Sequence, residues 1–420
     1  MPRKHPSPTA TELSGETPGP WCGFRFIATR VSSAYTIAMA QSLIEKFRWH
    51  ELRVSPKTVW SFVELVDVAG RVGVGEATLE RREPQMRQVL KANVHAVTGR
   101  APAEVDLAPA RAAARSLPEF AVLSALDQAV CDLGAQQQGV SVSTALGGAR
   151  RDKVRVYANI NRGIQLRTPE GFAAHARGAI ADGFSAVKIA PFDDVALYGD
   201  TGRMVDTVLL DAGLARIAAV REAIGPDADL MVDCHWRLHR AAAEDVLRAT
   251  EPLRLYWLEC PVPEAPEMLE TIRALRKFAN DRRVLLAGCE EMSMLEGFMP
   301  FLRGNAYDVL MPDVKYVGGM REMLKVADAM DHHGVAFSPH NPSGPVCHAA
   351  SLHICAVAPN FERLEMQYAE TPLFDQLVGG ALPQAINGKI AVPRVPGLGV
   401  RLDPGLVCDL SDMSGLSRPA

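Results

Sequence analysis

The chain has 420 residues, a length that suits two domains of ordinary size. Hydrophobic residues make up 48% of the chain and charged residues 22%, which is typical of a soluble globular protein. The formal net charge of −4 excludes a broad basic surface for nucleic acid, and no apolar run approaches the ~18 residues that a membrane span needs.

Residues 1–43 differ in composition from the rest of the chain and are expected to form a flexible leader. Residues 1–20 are rich in Pro, Ser, Thr and Gly and have little apolar surface to bury. Because no apolar run directly follows Arg3-Lys4, a secretory signal is not expected. Met39 is an alternative start, which would make the preceding residues an over-extended reading frame.

Residues 44–150 are predicted to form an α+β capping domain. The predicted strands cover 48–54, 58–66 and 72–77. The first two are joined by the tight turn Ser55-Pro56-Lys57. A helix follows, with Pro118 in its first turn, apolar residues at helical spacing and a stop at Gly139.

Residues 151–384 alternate between strand-like and helix-like segments, which predicts parallel strands joined by crossover helices. The first two strand candidates cover 154–157 and 184–187, and Lys188 ends the second. The predicted fold class is therefore α/β, a (β/α)8-type barrel with an α+β capping domain. Residues 385–420 include a Pro/Gly-rich segment and are expected to return to the capping domain.

The chain contains eight cysteines, none of them in a CxxC pair. Several lie in apolar, strand-like runs, so free buried thiols are expected in preference to disulfides. A reducing, cytoplasmic location follows as an expectation.

Five apolar runs of the barrel region lead to an acidic residue or a histidine, spaced 23 to 31 residues apart. These residues are Asp233, Glu259, Glu290, Asp313 and His340. One strand, one helix and two loops need roughly that many residues. Because the strand ends of a barrel share one mouth, we expect these five side chains to converge there.

Asp233, Glu259 and Glu290 are predicted to bind a metal ion. Three hard oxygen ligands without cysteine favour Mg²⁺ over Zn²⁺. A single acid of this kind is more often a solvated side chain at the start of a loop. Three of them in regular steps favour a metal site, because barrel strand ends are where the chemistry of such folds takes place.

Asp313 and His340 follow on the next two strands and are predicted to form a general base, in which the carboxylate fixes the tautomer of the imidazole. The alternative is a capped loop histidine. The apolar run before His340 and the segment Asn341-Pro342-Ser343-Gly344-Pro345 after it argue against that alternative.

His235 lies two residues after Asp233 and is predicted to be catalytic, since residues i and i+2 of a strand share a face. Lys188 is expected on the other flank of the mouth. A salt-bridged structural lysine is the alternative for Lys188.

This constellation resembles the mandelate racemase branch of the enolase superfamily, the mandelate racemase/muconate lactonizing enzymes, over about residues 45–405. The residues that carry the resemblance are Lys188, Asp233, Glu259, Glu290, Asp313, His340 and Glu365. Further shared motifs are Gly73-Val74-Gly75-Glu76, Leu146-Gly147-Gly148, Gly318-Gly319 and Pro396-Gly397-Leu398-Gly399-Val400.

Within that branch the chain is most similar to the D-galactonate dehydratases. The third barrel strand ends in Asp-x-His, and the first hairpin turns tightly where most relatives have a longer loop. The segment 339–345 is similar to that family's Pro-His-Cys-Pro-x-Gly-Pro. The second strand departs, because it reads Lys188-Ile189-Ala190 where racemase-like enzymes have Lys-x-Lys and galactonate dehydratases have Asn at the third position.

The resemblance implies a Mg²⁺-dependent carbon–oxygen lyase that dehydrates a sugar acid (an aldonate) through an ene-diolate to a 2-keto-3-deoxy acid. His340, held by Asp313, would take the proton at C2, and His235 would protonate the leaving 3-hydroxyl. Lys188 and Glu365 would stabilise the ene-diolate oxygens.

Two alternatives remain at this point. One is a racemase, epimerase or cycloisomerase on the same scaffold, and the other is a non-catalytic acid-binding barrel. The missing second lysine makes dehydration fit better than two-base racemisation. We expect a small-molecule sugar acid as the partner, no nucleic acid or membrane partner, and a homo-oligomer; the stereochemistry of the substrate stays open.

Overall fold

The computed structural model describes residues 42–197 and 205–409. Residues 1–41 of the predicted leader (residues 1–43) lie outside the described residues. Residues 410–420 of the predicted tail do so as well. No helix in these ranges is both long and apolar enough to cross a membrane. Six cysteines of the described ranges are free and buried: Cys131, Cys234, Cys260, Cys289, Cys347 and Cys355.

The first part of the described chain is a capping domain of one antiparallel sheet and four helices. Its strands are β1 (Ile44–Arg53), β2 (Val59–Asp67) and β3 (Val72–Glu76), paired in that order. Its helices are α1 (Glu83–Asn93), α2 (Ala108–Ala113), α3 (Leu117–Gln138) and α4 (Val142–Ala145). Short 3-10 turns cover Val94–Ala96 and Pro102–Glu104.

The longest helix of this domain, α3, begins and ends at residues suited to those positions. Pro118 lies in the first turn, where its missing N–H is not needed. Gly139 ends the helix with a left-handed φ of 68°. The helix packs against β3, and a Cβ atom on Gly75 of that strand would lie 2.0 Å from the carbonyl oxygen of Ala125.

Gly75→Ala is therefore expected to lower the free energy of unfolding by about 1–3 kcal/mol, because the added methyl group meets backbone atoms that cannot rotate away. The matched control is Gly134→Ala, whose Cβ would lie 3.4 Å from Pro102 Cβ, an ordinary contact. Because Gly134 lies inside α3, this control is expected to raise the free energy of unfolding by about 0.5–1 kcal/mol. The urea midpoint of unfolding is measured for both variants. If Gly75→Ala has the wild-type midpoint, β3 and α3 can move apart at no cost in stability, and the prediction is wrong.

The second part of the chain alternates between strands and helices. Its strands are β4 (Lys153–Asn159), β5 (Ala186–Ile189), β6 (Asp229–Asp233), β7 (Trp257–Glu259), β8 (Leu285–Gly288), β9 (Val309–Leu310), β10 (Ala336–Phe337) and β11 (Leu364–Gln367). Its helices are α5 (Pro169–Ala181), α6 (Thr207–Ile224), α7 (Arg240–Ala249), α8 (Leu269–Asn280), α9 (Met294–Arg303), α10 (Met320–His332), α11 (Pro345–Val357) and α12 (Leu373–Gln376). Further 3-10 turns cover Asn161–Gly163, Glu251–Leu253 and Pro266–Met268.

The strands β4 to β10 follow one another in space in chain order, all parallel, and β11 pairs with β4. Phe337 of β10 forms a parallel bridge with Phe361, just before β11. Its N–H donates to Asn360 O at 3.1 Å, and its carbonyl accepts from Glu362 N at 2.8 Å. These bonds connect the two outer strands, so the sheet curls into a barrel, and the predicted α/β fold class is confirmed.

The interior of the barrel is filled by apolar side chains that form the floor of the site. They are Tyr157, Ala186, Met231, Trp257, Ala287, Val309 and Met311. Trp257 also donates from Nε1 to Glu259 Oε2 at 2.8 Å, so the floor orients a residue of the mouth above it. The larger apolar cluster lies between the strands and the surrounding helices.

The tail runs along both parts of the molecule. β12 (Lys389–Ala391) pairs antiparallel with β4, so this segment lies on the barrel. The expectation that the whole tail returns to the capping domain is therefore wrong for this segment. Further on, Leu398 donates its N–H to Asp132 of α3 at 2.8 Å. β13 (Cys408–Asp409) pairs with β1 and extends the capping sheet.

Two buried carboxylates of the capping domain cap barrel helices. Glu76 accepts from Gly344 N at 2.7 Å and from Cys347 N at 2.9 Å, at the start of α11. Asp127 of α3 accepts from Met320 N at 2.8 Å, at the start of α10. Carboxylates stabilise helix N-termini, where N–H groups lack partners. The capping domain therefore holds the two loops that follow β9 and β10.

Candidate active site

Three buried carboxylates meet at the mouth of the barrel. Asp233 and Glu259 are the last residues of β6 and β7, and Glu290 follows β8 after one intervening residue. Each offers an oxygen atom, and these atoms all lie within 4.8 Å of one another. The three residues are 2%, 0% and 4% exposed, so the cluster is shielded from bulk water.

The backbone around this triad is strained. His235 and Trp236 have φ values of 44° and 56°, and Cys260 and Cys289 have values of 44° and 69°. Left-handed conformations of non-glycine residues carry a cost and cluster at functional sites. Because β6 ends at Asp233, the expectation that His235 shares a strand face with it is wrong. The turn instead brings His235 Nε2 to 2.9 Å from Asp233 Oδ2.

The electrostatics of the triad suit a bound cation. Burial raises the pKa of Glu259 to about 8, and the charge of Asp233 adds to this although Lys188 opposes it. Burial, reinforced by the charges of Asp233 and Glu259, also holds the pKa of Glu290 well above its usual range. Crowded, dehydrated carboxylates are costly without a positive charge among them. An all-oxygen triad of this kind fits Mg²⁺.

Lys188 lies on one flank of the triad. Its Nζ atom is 2.6 Å from Glu259 Oε1, 3.0 Å from Glu365 Oε1 and 3.8 Å from Asp233 Oδ2. Burial would lower the pKa of Lys188, but these carboxylates hold it well above its usual value. Glu365 is fixed in turn by Asn159 Nδ2 at 2.6 Å. The site therefore has a permanent positive charge beside the triad.

His340 lies on the side of the triad nearest Glu290. Its Nδ1 atom is 2.7 Å from Asp313 Oδ2, and its Nε2 atom is 3.8 Å from Glu290 Oε1. A carboxylate can only accept, so Nδ1–H donates to Asp313 and Nε2 is left to face the site. Burial would raise the pKa of Asp313, but Lys315 and His340 hold it below its usual value.

His235 lies beside Asp233 and contacts a second carboxylate. Its Nδ1 atom is 2.6 Å from Oδ1 of Asp193, in the loop after β5. Burial would lower the pKa of His235, but Asp233 and Asp193 hold it well above its usual value.

The structure thus brings the predicted residues together in one connected network. Its members are Lys188, Asp233, His235, Glu259, Glu290, Asp313, His340 and Glu365. No role was predicted for Asp193, Asn159 or Lys315. Lys315 contacts Asp313 Oδ2 and lies 2.5 Å from Ser343 Oγ. The acidic pair in Pro191-Phe192-Asp193-Asp194 was the available signal, since it directly follows the second barrel strand.

Known proteins resemble this chain over most of its length. A family model described as "Enolase C-terminal domain-like" matches residues 171–406. D-gluconate dehydratase of Thermoproteus tenax is 31% identical over 347 residues, which are 81% of this chain and 67% of that protein. D-galactonate dehydratase of Ralstonia nicotianae is 29% identical over 369 residues, which are 86% of this chain and 92% of that protein. The crystal structure of a mandelate racemase/muconate lactonizing enzyme from a Sulfitobacter species has a TM-score of 0.78 at 26% identity, and the match covers 87% and 94% of the two chains.

Proposed function

This chain belongs to the enolase superfamily, and on that premise we propose that it is a Mg²⁺-dependent hydro-lyase that dehydrates a sugar acid, an aldonate, to a 2-keto-3-deoxy acid. The observation that carries the proposal is the placement of two histidines on different sides of one carboxylate triad. His340 lies beside Glu290 and His235 beside Asp233. Such a pair can serve as a base for the C2 proton and an acid for the 3-hydroxyl.

Asp233, Glu259 and Glu290 would hold the metal ion. Mg²⁺ at this place would make the substrate carboxylate a better electron sink, so that the proton at C2 can be removed. Among the described residues, these three form the one group of His, Cys, Asp or Glu side chains that is placed to hold a metal ion.

The remaining steps belong to the side chains of the chain itself. His340 takes the C2 proton on Nε2, while Asp313 stabilises the resulting imidazolium. The ammonium group of Lys188 lies where negative charge develops on the ene-diolate oxygens, and Glu365 fixes its position. His235 donates a proton to the leaving 3-hydroxyl, which departs as water. The enol then tautomerises to the 2-keto-3-deoxy acid.

The proposal is tested by incubating the protein with Mg²⁺ and a panel of aldonates and detecting 2-keto acids with semicarbazide. D-Gluconate and D-galactonate are the first probes, because two relatives are named for them. We expect a keto acid from at least one aldonate, and none in a sample treated exhaustively with a chelator. Deuterium incorporation at C2 without any keto acid would contradict the proposal and indicate an epimerase.

A further inference from the structure

We propose that Asp193 is a positioning residue for His235 and that the two form a second Asp–His pair, opposite the pair of Asp313 and His340. This inference deepens the proposed function and rests on it. It gives a role to the loop after β5, where the sequence departs from the similar families.

The contact between the two side chains is short and direct. His235 Nδ1 lies 2.6 Å from Asp193 Oδ1, and both side chains are about one-third exposed, at 32% and 29%. The other ring nitrogen, Nε2, points to Asp233 of the triad at 2.9 Å. The imidazole therefore spans from the loop after β5 to the centre of the site.

Asp193 is itself held in place. Arg167 Nη1 lies 3.6 Å from its Oδ2 atom, and Arg237 Nε lies 3.6 Å from its Oδ1 atom. Arg167 also donates to Ala190 O at 2.7 Å, and Arg216 donates to Pro191 O at 2.7 Å, so the backbone of the loop is fixed as well. A carboxylate restrained on this many sides can determine the orientation of a neighbouring ring.

The contact with Asp193 determines which ring nitrogen of His235 faces the site. A carboxylate has no hydrogen to donate, so Asp193 requires a proton on Nδ1 of His235. That bond leaves Nε2 as the nitrogen directed into the site, which is the position from which a proton reaches a leaving group. His340 has the same arrangement, because its Nδ1 atom is bonded to Asp313 Oδ2 at 2.7 Å and its Nε2 atom faces the site.

The two pairs lie on opposite sides of the ring of strands. His235 follows β6 and His340 follows β10; three strands, β7 to β9, separate them in one direction, and β5, β4 and β11 separate them in the other. The base and the acid thus approach a bound substrate from opposite sides. Asp193 serves the acid and Asp313 serves the base.

The experiment compares Asp193→Asn with Asp194→Asn in the full-length protein with Mg²⁺. Asp194 lies in the same loop and contacts Arg167 and Arg216 but not His235, which makes it the matched control. Asp193→Asn is expected to slow dehydration by ~10²–10⁴-fold, the usual effect of a general acid. Exchange of the C2 hydrogen with deuterated water is expected at the wild-type rate, and Asp194→Asn is expected to resemble the wild type in both assays.

A substrate analogue with fluorine in place of the 3-hydroxyl separates positioning from general damage. Fluoride leaves without a proton, so Asp193→Asn is expected to release fluoride and form the keto acid at close to the wild-type rate. If exchange and fluoride release fall together with dehydration, Asp193 has only a structural role and the inference is overturned. Dehydration at the wild-type rate in Asp193→Asn would overturn it equally.

Nuclear magnetic resonance of protein labelled with ¹⁵N-histidine provides a readout that does not depend on turnover. The His235 signals, assigned by their loss in His235→Asn, are expected to show a protonated Nδ1 in the wild type and in Asp194→Asn, and to change in Asp193→Asn. Unchanged signals in Asp193→Asn would overturn the inference. If the wild type forms no keto acid while this change is seen, the proposed function fails and the Asp193–His235 pair stands.

Discussion

His340→Asn is expected to block both dehydration and the exchange of the C2 hydrogen with deuterated water. The rate of each reaction is expected to fall by ~10²–10⁴-fold. The reason is that Nε2 of His340 is the nitrogen placed to take the C2 proton, with Nδ1 committed to Asp313 at 2.7 Å. Proton removal precedes every later step, so no product or exchanged substrate forms without it. Exchange is measured by NMR of the recovered substrate, and dehydration by the keto-acid assay.

The matched variant is His235→Asn, which removes the same ring from the opposite side of the site. It is expected to slow dehydration by ~10²–10⁴-fold while the C2 hydrogen still exchanges, if necessary in a 3-deoxy analogue that has no hydroxyl to lose. The reverse pattern, with exchange surviving in His340→Asn and vanishing in His235→Asn, would make His235 the base. An epimerase would then explain the site better than a dehydratase.

The position of the triad could be predicted from the sequence because it depends on a regular property of the fold. Parallel strands in a barrel all end at the same mouth, so Asp233, Glu259 and Glu290 needed only correct strand ends to be placed together. Glu290 lies beyond the end of β8, yet the strained residue before it, Cys289, directs it back towards the mouth.

Of the two carboxylates that contact the histidines, only one could be predicted from the sequence pattern. Asp313 was predictable as the neighbour of His340, because successive strands of the barrel carry the two. Asp193 was not, because it lies in a loop whose path depends on arginines from three other segments of the chain. Periodicity and spacing describe strands and helices and give no information on contacts of this kind.

The contacts between the two domains were also beyond sequence reasoning. The motif that contains Glu76 could be recognised, but its role as a cap on α11 depends on how the capping domain docks. Lys315 is similar: only the folded structure shows its buried ammonium group beside Asp313, 2.5 Å from Ser343 Oγ. A buried charge is stable only with such partners, and the partners come from distant parts of the chain.

Glu259→Gln is expected to abolish turnover and weaken Mg²⁺ binding while the fold is retained. Glutamine has the shape of glutamate but only one acceptor oxygen, so it can accept from Lys188 Nζ, 2.6 Å from Oε1 in the wild type, or from Trp257 Nε1, 2.8 Å from Oε2, but not from both. Burial raises the pKa of Glu259 to about 8, because a buried carboxylate is costly without enough positive charge beside it. A neutral amide removes that cost, and Lys188 keeps Glu365 as a partner at 3.0 Å, so the metal-free protein is expected to stay folded.

The metal-bound states should differ clearly. An ion that binds only the folded chain stabilises it by an amount that grows with the ratio of its concentration to Kd, about 2.7 kcal/mol at 100 times Kd. Added Mg²⁺ is thus expected to raise the melting temperature of the wild type and of the control Glu270→Gln, which alters an exposed residue of α8. Glu259→Gln should show a much smaller rise, and calorimetry should show weaker Mg²⁺ binding than in the wild type. Undiminished turnover in Glu259→Gln, or full wild-type activity after exhaustive chelation, would refute the metal site.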